Sequence, residues 1–267
     1  MNVLWVFAHP EPRSLNGALR SHGLSELAAA GHRIRESDLY AMGWNPVVGP
    51  GDFGHDPRER LLVGARSEHA HATGGLSADI RAEQDKIAWA DAVVLQFPLW
   101  WHGMPAILKG WFDRVFVQGF AFGVTGPGGR TLRYGEGDLA GKRALAVVTA
   151  GARGSGLAER GLHGDIQQLL FPLLHGTLFY TGMQVLPPLL VPGADRLTAS
   201  GGEAAAARLR ERLRTLDTAE PIAYRPETGG DYGDDLILRP HLEPGRTGLD
   251  VHDRTAPAAR PVPAGAR

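Results

Sequence analysis

The sequence of 267 residues contains no cysteine. It therefore excludes disulfide bonds, a thiol nucleophile, and any metal ion or iron–sulfur cluster that thiolates would hold. It also lacks an apolar run of the length that crosses a bilayer, so we expect no membrane span. The first residues are apolar without a charged leader and pass directly into a turn, which predicts a strand rather than a signal peptide. We therefore expect a cytoplasmic protein.

The sequence has little net charge of either sign. Its 28 basic and 29 acidic residues leave a formal net charge of -1, and its isoelectric point is about 6.8. Such a balance gives no basic field that would hold nucleic acid or an anionic membrane surface. With 43% hydrophobic residues, the chain is long enough to form one substantial core. These totals describe an ordinary globular protein whose partners are small molecules or other proteins.

Five short apolar runs alternate with segments of helical periodicity along most of the chain. Such alternation is typical of βαβ units, in which helices connect parallel strands. The predicted strands are residues 2–8, 32–40, 91–97, 142–149 and 184–186, and the predicted helices are residues 17–30, 78–89, 106–116, 166–176 and 203–216. We therefore predict an α/β fold with a doubly wound, five-stranded parallel sheet in the flavodoxin-like order 2-1-3-4-5 and helices on both faces.

Three segments interrupt or follow this pattern. Residues 47–76 lose the periodicity and predict a long excursion with at most one short helix, and the glycine-rich residues 118–139 predict an irregular flap. Past residue 223 the composition changes to Pro, Gly, Asp and Arg. We therefore divide the chain into a domain of residues 1–223 and a C-terminal arm of residues 224–267. The arm is expected to dock around residues 236–238, and its last dozen residues are expected to be disordered.

The loop after the first strand carries His9, Arg13, Ser14 and Asn16 directly before a predicted helix. Free backbone N–H groups at a helix N-terminus bind anions, and these side chains could add to such a site. An ordinary turn with a helix cap explains the same residues. The loop contains neither the G-x-G-x-x-G fingerprint nor a Walker sequence, so the pattern leaves both interpretations open.

An aromatic turn follows the third strand, where the apolar run ends at Pro98 and Leu99, Trp100 and Trp101 come next. Ligands of open α/β sheets bind at the carboxyl ends of strands, so these rings could form the floor for a flat ligand. They could also be core or interface residues. A glycine-rich turn at residues 150–156 follows the fourth strand and would let the backbone approach a ligand. The three loops together suit a flavin.

Histidines in the long excursion suggest a metal site at first sight. The spacing of His55, His69 and His71 matches no ligand motif, however, and no carboxylate pattern completes a site. Solvated loop histidines explain them more simply. We therefore predict no metal-binding residues.

Several longer motifs lie within the first 190 residues. They are residues 8–9, 14–16, 36–42, 45–46, 96–101 (QFPLWW), 105–116 (PAILKGWFDRVF) and 161–165 (GLHGD). Together they resemble the NAD(P)H:quinone oxidoreductases of the two-electron, flavodoxin-fold type. The resemblance implies FAD rather than FMN as cofactor, and a homodimer whose sites lie at the subunit interface. It also implies that hydride passes from NAD(P)H to the flavin and on to a quinone.

The resemblance further implies roles for individual residues. Those expected to hold the flavin are His9, Ser14, Leu15 and Asn16 at its phosphates and adjoining parts, Pro98, Leu99, Trp100 and Trp101 along its ring system, and Thr149, Ala150, Gly151 and Ala152 at its polar edge. His163 matches the catalytic histidine that balances charge as the flavin is reduced. The family's tyrosine six positions earlier is Leu157 here. The substrate pocket is expected to include His102, Phe122 and Val124, which stand where the family has aromatic residues.

Two other functions fit the same fold. A reduced flavin can pass hydride to azo or nitro compounds that stack on it, and flavodoxin-fold relatives also act as ancillary subunits of potassium-efflux transporters. The leading prediction is an NAD(P)H dehydrogenase of the quinone type, with a small-molecule quinone as electron acceptor. A bound flavin would separate the two enzymes from a subunit without a cofactor.

Overall fold

The computed structural model describes residues 1–255, and its centre is one parallel sheet. The strands are β1 (Asn2–Phe7), β2 (Arg33–Asp38), β3 (Ala92–Pro98), β4 (Arg143–Ala150), β5 (Gln184–Val185) and β6 (Leu189–Pro192). Their order is β2-β1-β3-β4-β5, with β6 also paired to β4. All five neighbouring pairs are parallel. The predicted fold class and strand order are therefore confirmed.

The fifth position of the sheet holds two short strands where the sequence predicted one at residues 184–186. β5 pairs with the start of β4 and β6 pairs with its end, so both lie along the same edge. Pro187 and Pro188 separate them, because proline has no N–H to donate to the ladder and is confined to edges and interruptions. The edge strand therefore reaches the carboxyl end of the sheet through β6, which the sequence pattern did not show.

Helices connect the strands. They are α1 (Leu15–Ala29), α2 (Val63–Thr73), α3 (Ala78–Trp89), α4 (Ala106–Val115), α5 (Ile166–Leu169), α6 (Phe171–Leu173) and α7 (Ala199–Arg214). α7 begins before its predicted start at residue 203, because Thr198 caps it by accepting the N–H of Gly201 at 3.2 Å. Glycines at positions 201 and 202 hid that first turn from the sequence pattern. Within residues 1–255, none of the helices combines the length and apolar composition that crossing a bilayer requires.

Two helical predictions were wrong in detail. The excursion at residues 47–76 holds a 3₁₀ turn, Pro50–Phe53, as well as the whole of α2, rather than at most one short helix. The helix predicted at residues 166–176 is a series of short segments: α5, α6 and a π-helical stretch, Leu174–Phe179. Pro172 interrupts this series, because proline cannot continue an α-helical hydrogen-bond ladder.

The core lies on both faces of the sheet. One face packs Trp5 of β1 against Leu19 of α1 and Leu209 of α7. The other packs Leu4 against helices that include α3, α4 and the segments of residues 166–179. The apolar side of α4 was predicted to face the sheet or another subunit, and Trp111 is 1% exposed within this core. The sheet is therefore doubly wound, and its carboxyl edge is the side free to bind a ligand.

The C-terminal arm docks through polar pairs with the domain. Arg133 donates to Glu227 of the arm at 2.5 Å, and Gln168 donates to Asp250 at 2.8 Å. Within the arm, the buried Arg225 donates to Asp231 at 2.8 Å and to Glu243 at 3.0 Å. The predicted docking point was wrong: Leu236 and its neighbour Ile237 are exposed. Polar pairs between segments far apart in sequence fasten this arm, together with the aromatic residues around His175, and the apolar run at residues 236–238 does not. The predicted disordered end lies outside the described residues.

An aromatic cluster joins the arm to the domain around His175. The imidazole stacks on Phe171, with ring centres 4.4 Å apart. It also contacts two rings of the arm, Tyr224 edge-on and His252 at a tilt. Burial, and secondarily the nearby His252, lower the pKa of His175 to about 4. Protonation of His175 therefore destabilises the folded state.

We expect the folded state to lose stability as the pH falls from about 6.5 towards about 4. The unfolded chain binds a proton at His175 below about pH 6.5, whereas the folded chain excludes it until about pH 4, so the slope approaches about 1.4 kcal/mol per pH unit. Urea unfolding between pH 7.5 and 4.5 measures this. His175→Phe should flatten the curve, and His241→Gln, an exposed change on the arm, should not. Parallel curves for wild type and His175→Phe would contradict the assignment.

Candidate active site

The carboxyl ends of β1, β3 and β4 lie side by side. Phe7 pairs with Gln96, and Pro98 pairs with Thr149, so the three strands end at nearly the same level. The N–H of Leu99 then donates to the carbonyl of Thr149 at 2.7 Å, which fixes the start of the aromatic turn against β4. The three predicted ligand loops therefore leave one edge of the sheet together, as the topology of an open α/β sheet requires.

A chain of buried side-chain hydrogen bonds fastens these loops. The indole N–H of Trp5 donates to Gln96 at 3.1 Å, and the Gln96 amide donates to the carbonyl of Asn16 at 2.8 Å. The Asn16 amide in turn donates to the hydroxyl of Thr149 at 2.8 Å. Gln96 and Thr149 are 0% and 2% exposed. Because buried amides need partners, this chain holds Asn16 in one orientation.

The side-chain oxygen of Asn16 takes no part in these hydrogen bonds. The Asn16 Oδ1 atom is buried and accepts no hydrogen bond from the described part of the chain. A buried acceptor without a donor is destabilising unless a ligand supplies one. It lies at the start of α1, next to the N–H groups of a helix N-terminus, which favour anions. The pair of features fits a ligand that carries hydroxyl and phosphate groups, and a flavin carries both.

The remaining residues of the first loop divide into support and binding. Ser14 donates to the carbonyl of Glu11 at 2.6 Å and accepts the N–H of Gly17 at 3.2 Å, so its hydroxyl caps α1. Arg13 pairs with the Glu11 carboxylate at 3.0 Å. The Nδ1 atom of His9 lies 3.1 Å from the backbone nitrogen of Glu11 and 3.0 Å from the Ser14 hydroxyl, so the loop itself holds this ring. Leu15 is half-buried against the α1 side of the core.

The aromatic turn is a tight hairpin of residues 100–103. Trp100 and Gly103 exchange backbone hydrogen bonds of 3.0 Å in both directions. The central residues, Trp101 and His102, have φ of 50° and 58°. A two-residue hairpin with both central φ angles positive normally carries Asn-Gly, because other side chains are strained there. Strain of this kind is found where function requires a particular presentation of side chains. Here it projects Trp101, which is fully exposed.

The same turn brings His102 onto His163. Their ring centres lie 5.4 Å apart, which joins the loop after β3 to the loop after β4. The N–H of His163 donates to the carbonyl of Gly156 at 2.9 Å. Leu157, at the position of the family's tyrosine, is 3% exposed and packs as an apolar residue. Within residues 1–255, the ring in contact with His163 is therefore an imidazole rather than a phenol.

Two supporting residues at this edge were missed by the sequence reasoning. Arg196 donates to the carbonyl of Gly151 at 2.6 Å. The carboxylate of Asp195 lies so close to Gly151 that a Cβ there would meet it at 2.3 Å. Both follow β6, so they reach the site through the strand that the pattern did not show. They hold the backbone of residues 150–152 where a ligand's polar edge would meet its N–H groups.

The flap residues lie elsewhere in the chain. Phe122 lines a cavity of about 240 Å³ with Phe116, Tyr180 and other residues of segments 121 and 176–181. Thr181 accepts the N–H of Leu139, and Gln184 pairs with Arg143 at the start of β4. This cavity therefore lies towards the amino edge of the sheet, at the opposite end from His102 and His163. One chain therefore does not bring Phe122, or Val124 beside it in the flap, to the crevice. Tyr180 is the further aromatic residue that the sequence analysis missed.

Metal ligands are not clustered in the long excursion. His69 and His71 lie on α2, and His55 precedes it. Across residues 1–255, histidine, aspartate and glutamate side chains form no group of three or more that could hold a metal ion. His71 contacts the ring of Phe120 at 5.8 Å instead.

Comparison with known proteins places this geometry in a family. The flavodoxin-like fold matches residues 1–216. The ribosyldihydronicotinamide dehydrogenase-like protein traD of Penicillium crustosum is 42% identical over 260 residues, which cover 96% of each chain. NAD(P)H dehydrogenase (quinone) 1 of Rattus norvegicus is 37% identical over 228 residues, 85% of this chain and 81% of that one. A Klebsiella pneumoniae structure, provisionally described as a quinone reductase, has a TM-score of 0.90 and 48% identity, covering 95% of this chain and 99% of that one.

More distant likenesses show the fold alone. An FMN-dependent NADH-azoreductase of Bacillus anthracis has a TM-score of 0.53 at 16% identity, over 81% of this chain and 99% of that one. The resemblance drawn from the sequence motifs is confirmed by the relatives above, which are much more similar. The chain belongs to the flavodoxin-like family, among the NAD(P)H and ribosyldihydronicotinamide quinone dehydrogenases.

Proposed function

We propose that this protein is a flavin-dependent NAD(P)H:quinone oxidoreductase that passes two electrons, as hydride, from a nicotinamide to a quinone. The observation that carries the proposal is the crevice at the carboxyl edge of the sheet. There the Asn16 Oδ1 atom is buried in the first turn of α1 and has no hydrogen-bond partner among residues 1–255, and Trp100 of the aromatic turn lies beside His9 of the same loop, with ring centres 6.5 Å apart. Family membership supplies the reaction class. The cytoplasmic location remains a prediction.

The crevice residues would share the work of binding. His9, Leu15 and Asn16 would meet the phosphates and polyol of the cofactor, with Ser14 holding the loop as a cap. Pro98, Leu99, Trp100 and Trp101 would lie along the flat ring system. Thr149, Ala150, Gly151 and Ala152 would present backbone N–H groups and a hydroxyl to its polar edge, where such donors stabilise negative charge. The flavin, when bound, supplies the hydride-accepting and hydride-donating centre.

His163 would act as the catalytic residue that offsets charge during hydride transfer. An imidazole N–H close to developing negative charge lowers the barrier, and it does so without moving if the ring is already held in place. The Gly156 carbonyl and the ring of His102 hold it here. Because Leu157 provides no hydroxyl, His163 and backbone amides would carry this role without a phenol.

FAD is the proposed cofactor, in preference to FMN. The relatives of high identity are quinone dehydrogenases of the same fold, whereas the FMN-dependent neighbour shares the fold alone. The purified protein should be yellow, with absorbance near about 450 nm, as bound flavins show. Mass spectrometry of the cofactor released by acid should give FAD. The protein should then reduce a quinone with NADH, NADPH or a ribosyl dihydronicotinamide, and much more slowly an azo dye. A colourless protein that takes up no flavin would refute the proposal.

The protein should act as a homodimer with shared sites. Within one chain the crevice and the flap cavity lie at opposite ends of the sheet, and both expose apolar side chains: Trp101 and Leu162 at the crevice, and Phe122 at the flap. A two-fold partner would set its flap against the crevice and cover both patches, because a two-fold interface joins the same two surfaces twice. His102 of one chain and Phe122 and Val124 of the other would then line one quinone pocket.

Light scattering should report about twice the chain mass of 28.6 kDa. Subunit mixing tests the shared site more sharply. Phe122→Asp damages the flap and His163→Gln damages the crevice, so each homodimer should be impaired at both of its sites. After exchange of equal amounts, half of the dimers carry one intact site, and the mixture should regain about a quarter of wild-type activity. No recovery after proven exchange would show that each site is built from a single chain.

His163→Gln should slow flavin reduction by roughly ten- to a hundredfold, about 1.4 to 2.7 kcal/mol of barrier. Flavin content should stay close to that of wild type, because the side chain stabilises a charge that is absent from the oxidised cofactor. Stopped-flow reduction by NADPH in single turnovers measures the step. His241→Gln, on the exposed arm, is the matched control. Equal rates for wild type and His163→Gln would leave the stabilisation to the backbone amides of residues 150–152.

A further inference from the structure

His102 and His163 bring two imidazole rings into contact at the mouth of the crevice. Their rings approach with centres 5.4 Å apart and planes inclined at 46°. Within residues 1–255, neither imidazole makes a hydrogen bond or ion pair, although histidine side chains elsewhere in the chain, such as His9 and His252, do so. Two imidazoles therefore lie in contact, and no hydrogen bond among residues 1–255 occupies their ring nitrogens. Free imidazole nitrogens in such proximity are ligands for transition-metal ions.

We propose that His102 and His163 form a two-histidine site for a divalent transition-metal ion, with Zn²⁺ as the representative ion. The site lies at the mouth of the crevice and joins the loops that follow β3 and β4. It revises the sequence-based expectation of no metal-binding residues, which considered only the histidines of the long excursion. The binding step stands on geometry alone. Its consequence for turnover rests on the proposed function.

The separation of the rings matches tetrahedral coordination. Zn²⁺ binds imidazole nitrogen at about 2.0–2.1 Å, and the ring centre lies roughly 1 Å farther along the same line, so two ligands at a tetrahedral angle place their ring centres roughly 5 Å apart. The observed distance between ring centres is 5.4 Å, and small rotations of the two side chains would remove the difference. Rings stacked face to face at van der Waals distance could not turn nitrogens towards a common ion without separating.

Both rings are held in place before an ion arrives. The backbone N–H of His163 donates to the Gly156 carbonyl, and the ring packs so closely on Gly156 that a Cβ there would lie 2.9 Å from its Cδ2 atom. His102 is presented by the strained hairpin, with φ of 58°. A site whose ligands are already ordered loses less conformational entropy on binding than one assembled from mobile side chains.

Among residues 1–255, no third side chain completes the coordination sphere. Asp165, the carboxylate next along the chain, accepts the N–H of Gln167 at 2.8 Å and caps α5. Arg153, Glu159 and Arg160 lie on the same loop, and they make no ion pair within residues 1–255. Water must therefore fill the other positions. An open site of this kind exchanges its ion readily, and an ion bound there removes the His163 N–H from the crevice and obstructs the quinone.

Calorimetric titration of the full-length, flavin-loaded protein with Zn²⁺ tests the binding step. Wild type should bind one equivalent of Zn²⁺ per chain. His102→Phe and His163→Gln should each lower the affinity for Zn²⁺ by at least about tenfold, since even outer-shell partners of a metal contribute that much. His241→Gln should bind as wild type does. Mg²⁺ should not compete, because it prefers oxygen ligands. Co²⁺ should give the intense visible bands of a tetrahedral site. Circular dichroism and flavin content verify that each variant is folded.

Turnover then tests the consequence. Wild type and His241→Gln should lose activity in Zn²⁺ and recover it with EDTA, whereas the ratio of activities with and without Zn²⁺ should stay near one in His102→Phe. Binding that persists in both site variants, or no stoichiometric binding at all, would overturn the proposal. Binding without inhibition would overturn the obstruction of the crevice. If the protein reduced no quinone, the calorimetry would still decide the metal site, so the two proposals fail separately.

Discussion

The buried amide of Gln96 is the constraint on which the crevice depends. It lies in the middle strand of the sheet, fully enclosed, and connects Trp5 of β1 to the backbone of Asn16. A polar group in such a place destabilises the fold unless every partner is present. The partners lie on the first strand and on the loop that follows it, and Asn16 passes the connection on to Thr149 of β4. The apolar sheet can therefore pack only when the ligand loops are correctly placed.

Much of the fold could be predicted from the sequence, because the deciding signals are local. The apolar runs of the central strands, the Ser14 cap and the carboxyl-edge rule located the sheet, its order and the loops. What failed depended on contacts between distant segments. Pro187 and Pro188 obscured β6, and with it Asp195 and Arg196. The arm is fastened by pairs such as Arg133 and Glu227, which lie far apart in sequence. The hydrophobic periodicity of the sequence does not show which distant residues will be in contact.

The candidate site was predictable to a similar depth. Motif resemblance pointed to the crevice residues, and the geometry gathers His9, the aromatic turn, Thr149 and His163 at one edge. Sequence motifs could not show that the flap lies at the other edge, since they contain no distances. They also could not show that His102 contacts His163, because that contact depends on positive φ angles at residues with side chains. Division of the pocket between two edges makes subunit pairing a requirement of the proposed chemistry.

Selection for stability and selection for activity act in opposite directions on the hairpin residues Trp101 and His102. Glycine in either position would relieve the backbone and make folding easier, since residues with a Cβ are disfavoured at such angles. It would also delete an indole or an imidazole from the mouth of the crevice. Substitutions that stabilise this turn would therefore remove residues that the proposed chemistry uses. Such a trade-off is common where activity needs a strained arrangement. Among relatives, this turn is where substrate range and thermal tolerance should vary together.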